Sequence, residues 1–163
     1  MTAAATADTR PAAAPLRLIE RAVGALNRIP FSAIVLVARV ATFSVFLRSG
    51  LVKLDDWNAT LMLFRDEYKV PILPPEIAAT MAASMELGAS SLVLIGLFTR
   101  PAALGLLGMV SVIQIFVYPQ AWPDHIQWLG FMIFIVCRGP GVVSVDALIK
   151  RVLKVRLAPP NDL

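Results

Sequence analysis

PPEIAATMAASMELGASSLVLIGLFTRP, residues 74–101, decides the fold. It is an apolar and small-residue stretch about one bilayer crossing long, bracketed by prolines. One carboxylate, Glu86, lies near its middle. A charge at that depth costs roughly 2.5–3.5 kcal/mol on insertion scales and more in simulations. A span that carries one must give it a partner, a water pocket or a proton. Apart from Asp124 at the edge of the fourth, the remaining spans carry no acid, but the first carries two arginines, Arg39 and Arg48.

The whole chain agrees with a membrane reading. It has 163 residues, 58% hydrophobic and only 16% charged, where soluble domains carry about a quarter charged residues. The charges gather at the two ends and in one central loop, which is a polytopic pattern. A net charge of +4 without a continuous basic stripe and aromatics argues against nucleic acid. The basic residues flank apolar spans, so the expected partner is the lipid bilayer. No small-x-small cleavage site follows the first span, which reads as a retained anchor.

The pattern predicts an all-α polytopic protein, a four-helix transmembrane bundle with flanking amphipathic interfacial helices. Residues 1–30 read as a cytoplasmic tail with an amphipathic helix. Residues 31–153 form the membrane domain, with spans at about 31–54, 77–98, 102–118 and 123–138, and residues 154–163 are a second tail. In the tail helix, Leu16, Ile19, Val23 and Leu26 share a face, with Arg17, Arg21 and Arg28 among them. In the loop from Asp55 to Pro75, Trp57, Leu61, Phe64 and Tyr68 make a helical stripe. It reads as a helix lying on the bilayer, with a lid over the bundle mouth as the alternative. Thr99-Arg100-Pro101 reads as the turn between spans two and three. Gly139-Pro140-Gly141 reads as a helix stop, since it lacks the Lys-Ser/Thr of a phosphate loop. Ser144 then reads as the N-cap of a basic amphipathic helix.

Counting basic residues sets the topology. Arg10, Arg17, Arg21, Arg28, Arg100, Arg138, Lys150, Arg151, Lys154 and Arg156 fall on one side. Lys53, Arg65 and Lys69 fall on the other, outweighed by Asp55, Asp56, Asp66, Glu67, Glu76 and Asp124. The positive-inside rule places both termini in the cytoplasm.

The expected polar core is Arg39, Lys53, Glu86 and Gln114. Arg39 and Lys53 are fourteen residues apart on one face of the first span. Arg39, the deeper arginine, is the favoured partner of Glu86. A structural pair of this kind predicts that exchanging Arg39 and Glu86 partly restores folding. The alternatives for Glu86 are a proton-carrying or ligand-binding acid, or a quinone contact shared with Gln114, Trp57 or Tyr118. Haem is disfavoured because His125 is the single histidine, read here as solvated beside Asp124. A single cysteine, Cys137, excludes a CxxC relay and reads as a packing or lipid-facing residue. Met81 and Met85 are four apart and present thioethers suited to copper(I), although methionine is also a common apolar filler. No cofactor is expected, with a quinone or copper(I) as the alternatives. Homo-oligomer contact through the third span, which carries Gly105 and Gly108, stays open.

The series Arg39, Ser49-Gly50, Lys53-Leu54, Glu86, Leu94 to Arg100, Gly139-Pro140-Gly141 and Ser144-Val145-Asp146 resembles the DoxX family over roughly residues 34–153. That resemblance implies a small four-helix bacterial inner-membrane protein. It also implies an accessory role with protein partners in redox or metal-stress defence. A transporter or a quinone-linked oxidoreductase subunit is the rival class.

Overall fold

The computed structural model describes residues 14–157, so the tail segments expected before and after these lie outside it. Every element among the described residues is helical. The chain divides into two compact units, Met1–Pro30 and Phe31–Leu163.

The first unit contains helix α1, Ala14–Leu26. Leu16, Leu18, Ile19, Val23 and Leu26 are all exposed on it. Its apolar residues lie on one side and its arginines on the other.

In the second unit, α2 runs from Phe31 to Asp55. A short helix, α3 (Trp57–Met62), follows, and its last turn widens into a π-helical segment at Leu63–Tyr68. Asp56 caps α3, its carboxylate accepting from the Ala59 N–H at 2.9 Å. The next rod is continuous but changes pitch. It comprises α4 (Pro75–Ser84), a π-helical turn at Met85–Ala89, and α5 (Ser90–Ile95). Helix α6 (Thr99–Val112) also ends in a π-helical turn, Ile113–Val117. Helix α7 is Trp122–Arg138 and α8 is Val145–Leu157.

Three of these stretches are long and apolar enough to cross a membrane: Phe31–Asp55, Pro75–Ile95 and Thr99–Val117. Their packing has membrane character. Small residues fill the contacts, with Ala38, Ala89, Ala102 and Ala103 buried around Val93, Leu106, Val110, Met132 and Ile135. Larger side chains such as Val37, Val52, Ile77, Leu104, Ile115 and Ile133 point outward. Alanine and glycine let backbones approach where no hydrophobic effect drives association. Gly50 shows the need directly, because a Cβ there would lie 2.7 Å from the Leu87 side chain.

Two expected details are corrected. The second rod ends at Ile95 rather than Phe98, because Gly96 takes a left-handed cap with φ 75°. Thr99-Arg100-Pro101 is therefore the first turn of α6, where a proline is tolerated. The aromatic stripe Trp57, Leu61, Phe64 and Tyr68 packs on Ala78, Ala79 and Ala82 of α4, with Phe64 5% exposed. The stripe therefore faces protein rather than lipid.

Candidate functional site

The interior charges form two clusters at opposite ends of α2. Lys53, in the last turn of that helix, reaches Glu86. Its Nζ donates to Oε1 at 2.8 Å and lies 2.8 Å from Oε2. Only the first contact has hydrogen-bond geometry, so Oε2 is a buried carboxylate oxygen with no donor aimed at it. Ser49, one turn before Lys53, donates to the same Oε1 at 3.0 Å and accepts from Lys53 Nζ at 3.0 Å. Glu86 is 3% exposed. It sits in the π-helical turn Met85–Ala89, and a widened turn of this kind often accompanies function.

Arg39 does not join this pair, contrary to the sequence expectation. Its guanidinium binds backbone carbonyls at the other end of α2. Nε donates to Val93 O at 2.8 Å, and one terminal nitrogen donates to Pro140 O at 3.0 Å and Val143 O at 2.6 Å. The other terminal nitrogen donates to Leu94 O. Val93 and Leu94 lie in the last turn of α5, at the negative end of its helix dipole, and Val93 O also accepts from the Gly96 N–H at 3.2 Å. Four of the five guanidinium donors are thereby used. Gly96 packs beside this cluster, where a Cβ would lie 2.8 Å from an Arg39 terminal nitrogen and collide with Ser144.

Asp146 closes the same end. Its carboxylate accepts from the Phe98 and Thr99 N–H groups at 3.0 and 3.1 Å, and from the Thr99 hydroxyl at 2.8 Å. Phe98, the N-cap of α6, supplies no capping side chain, so an aspartate 47 residues away satisfies that helix start. Burial opposes the Asp146 charge, but the Thr99 and Phe98 hydrogen bonds and the nearby Lys150 outweigh it and hold its pKa below the ordinary carboxylate value. Stability from this group is thus present above the unfolded carboxylate pKa and is lost as pH falls through the lowered folded value. Asp146→Ala is expected to cost about 1.5–3 kcal/mol, read as a lower unfolding midpoint at pH 7. The gap from the unsubstituted protein should close on acidification.

Ser144 caps α8 as expected, accepting from the Ala147 N–H at 3.1 Å. Gly139 and Gly141 adopt φ of 81° and 78°, and Pro140 contributes a carbonyl to Arg39. The helix-stop motif therefore also helps hold the arginine.

Gln114 lies apart from Glu86. Its Nε2 donates to Pro119 O at 2.8 Å, which leaves Oε1 to accept from His125 Nδ1 at 2.6 Å. His125 is 4% exposed and its ring packs on Trp128, so it is buried rather than solvated. Tyr68 and Tyr118 meet edge to face at 5.5 Å, and the Tyr118 hydroxyl donates to Glu67. Burial raises the Tyr68 phenol pKa, against the lowering hydrogen bond from Tyr118. Met81 and Met85 are 50% and 38% exposed, with the Met85 sulfur lying over Gly105. Cys137 and Arg48 are exposed. No group of three His, Cys, Asp or Glu side chains suited to a metal occurs among the described residues.

A family model, DoxX, matches residues 34–119, which include Arg39, Ser49, Lys53 and Glu86. The chain belongs to the DoxX family. With its three apolar helices, this makes it a membrane protein. The match ends before α7, so Gly139–Gly141 and Asp146 lie outside the matched DoxX residues. Searches of curated proteins and of solved structures find no match.

Sequence reasoning missed the carbonyl ligands of Arg39, the Asp146 contacts and the burial of His125. One signal was available for the Glu86 cluster. Ser49 and Lys53 are one helical turn apart, so both can address one acceptor.

Proposed function

We propose that this DoxX-family chain is a four-span protein of the bacterial inner membrane, with both termini cytoplasmic. It acts as a non-catalytic accessory to partner proteins in redox or metal-stress defence. Helix α7 is the fourth span. Its 17 residues reach only about 26 Å at 1.5 Å per residue, but Trp122 and Trp128 suit an interface and its inner face packs on α2 and α6. The orientation follows the excess of basic residues beside the Arg39 end, where Arg100, Arg138, Lys150, Arg151 and Lys154 lie.

One observation carries the non-catalytic reading. Each interior charge holds chain segments together, Arg39 through four carbonyls and Glu86 through Lys53 and Ser49. A different observation favours a second reading. Glu86 Oε2, 2.8 Å from Lys53 Nζ, accepts no aligned hydrogen bond, and the aromatic stripe packs on α4, the helix that leads into the Glu86 turn. A carrier that loads a proton, or a small ligand bearing a donor, would use that oxygen.

Mass spectrometry of the protein purified in mild detergent separates the readings. The accessory role predicts a folded bundle without stoichiometric quinone or metal, and crosslinks to other proteins in the native membrane. A bound quinone or copper ion lost in Glu86→Gln or Met85→Leu would overturn it.

A further inference from the structure

Helix α1 is too polar to span and too apolar to be left in water. At 100° per residue, Arg17, Arg21 and Gly24 fall within an arc of about 60°, and Arg28 follows in the turn after Leu26. Leu16, Ile19, Val23 and Leu26 occupy the opposite side, each 49–63% exposed. The basic face is not flat. An open concavity of about 470 Å³ is lined by Arg17, Glu20, Arg21, Gly24, Ala25 and Arg28. Gly24 leaves a gap between Arg21 and Arg28, since a Cβ there would meet nothing within 4 Å. Three guanidinium groups against one carboxylate leave this cleft electropositive. Guanidinium forks match phosphate oxygens in geometry as well as charge.

We infer that α1 is a binding site for anionic phospholipid, with headgroup phosphates among Arg17, Arg21 and Arg28 while the Leu16–Ile19–Val23–Leu26 face lies in the acyl layer. Charge and apolarity select this ligand together. A free phosphate would satisfy the arginines and leave the apolar face in water. A neutral lipid would cover that face and leave three cations without a net counter-charge. Only four residues separate α1 from the first membrane helix, which keeps it near the headgroup layer. Helix α8 independently repeats the pattern, with Leu148, Ile149, Val152 and Leu153 exposed and Lys150, Arg151 and Lys154 on the other side. The inference rests on the membrane location alone and stands whether or not the accessory role does.

The full chain is reconstituted in nanodiscs of equal parts phosphatidylcholine and phosphatidylglycerol, released into detergent, and its retained lipids are counted by native mass spectrometry. The expected result is preferential retention of phosphatidylglycerol. Each basic residue near an anionic surface is worth about fivefold, so R17Q/R21Q/R28Q is expected to reduce that preference on the order of 100-fold. Gly24→Leu, which fills the gap and keeps every charge, is expected to weaken it less. Arg48→Gln, an exposed cation on a span, is expected to leave it unchanged. Matched thermal melts check that each variant is folded. Equal retention of both lipids would overturn the inference, as would a folded triple variant with unchanged preference. Displacement of phosphatidylglycerol by millimolar inorganic phosphate would overturn the lipid assignment in favour of a free-anion site.

Discussion

Arg39→Met will collapse the folded yield of this protein, and no change at Glu86 will restore it. The substitution keeps the apolar volume of the side chain and removes the donors to Val93, Leu94, Pro140 and Val143. A buried acceptor left without a partner costs about 1–3 kcal/mol. Val93 O keeps the Gly96 N–H at 3.2 Å, but losing the donors to Leu94, Pro140 and Val143 still reaches the lower part of the roughly 5–15 kcal/mol that keeps a typical domain folded. Arg39→Lys is expected to fall between, because one ammonium cannot reproduce a planar fork spread over two chain segments. Exchanging the residues, Arg39→Glu with Glu86→Arg, should be at least as damaging as the single change. It sets a carboxylate against carbonyl oxygens and a second cation beside Lys53. Size-exclusion profiles of the detergent-extracted variants would read the outcome. A monodisperse exchange variant would mean that Arg39 and Glu86 are partners after all.

Why the pairing was misread is a matter of register. The helical class and most element ends are local properties, so they could be read from residue letters. Pro30 precedes α2, Asp56 caps α3, Ser144 caps α8, and Gly139–Gly141 stops α7. The depth at which two helices meet is not local. Laying the expected spans 31–54 and 77–98 level and antiparallel puts Glu86 opposite roughly residue 44 at equal rise. In the structure Gly50 faces Glu86 and Leu87. That offset of about six residues, or about 9 Å, gives Glu86 to Lys53 and takes it from Arg39. It follows from the close approach at Gly50, the π-helical turn at Met85–Ala89 and the early stop at Gly96.

The ligands of Arg39 were hidden for a further reason. They are backbone carbonyls, which every residue carries, so no side-chain pattern marks them. Asp146 was visible as a first-turn acid of α8. Its use as the cap of a different helix depends on the Asp146 N–H meeting Gly96 O at 2.8 Å, which fixes where α8 begins relative to α6. His125 looked solvated because its sequence neighbours are polar. Its environment is set by Gln114, eleven residues earlier on another helix.

Lys53→Met is expected to cost about 3–5 kcal/mol, because it leaves Glu86 as a buried charge with only Ser49 as a donor. Lys53→Met with Glu86→Met should recover most of that loss. A well-packed apolar pair of similar volume is often neutral or stabilising relative to a buried ion pair, and in a bilayer it also removes two charges from the span. Unfolding midpoints of the two single variants and the double variant complete a double-mutant cycle. Strong coupling places the pair where its geometry puts it, as a clamp between α2 and the Glu86 turn. A silent Lys53→Met would mean that Glu86 accepts a proton in place of the lysine. The oxygen without a donor would then become the functional atom, and the carrier reading would displace the structural one. The two outcomes differ because a clamp loses stability when one half is removed, whereas a carrier acid must tolerate both of its protonation states.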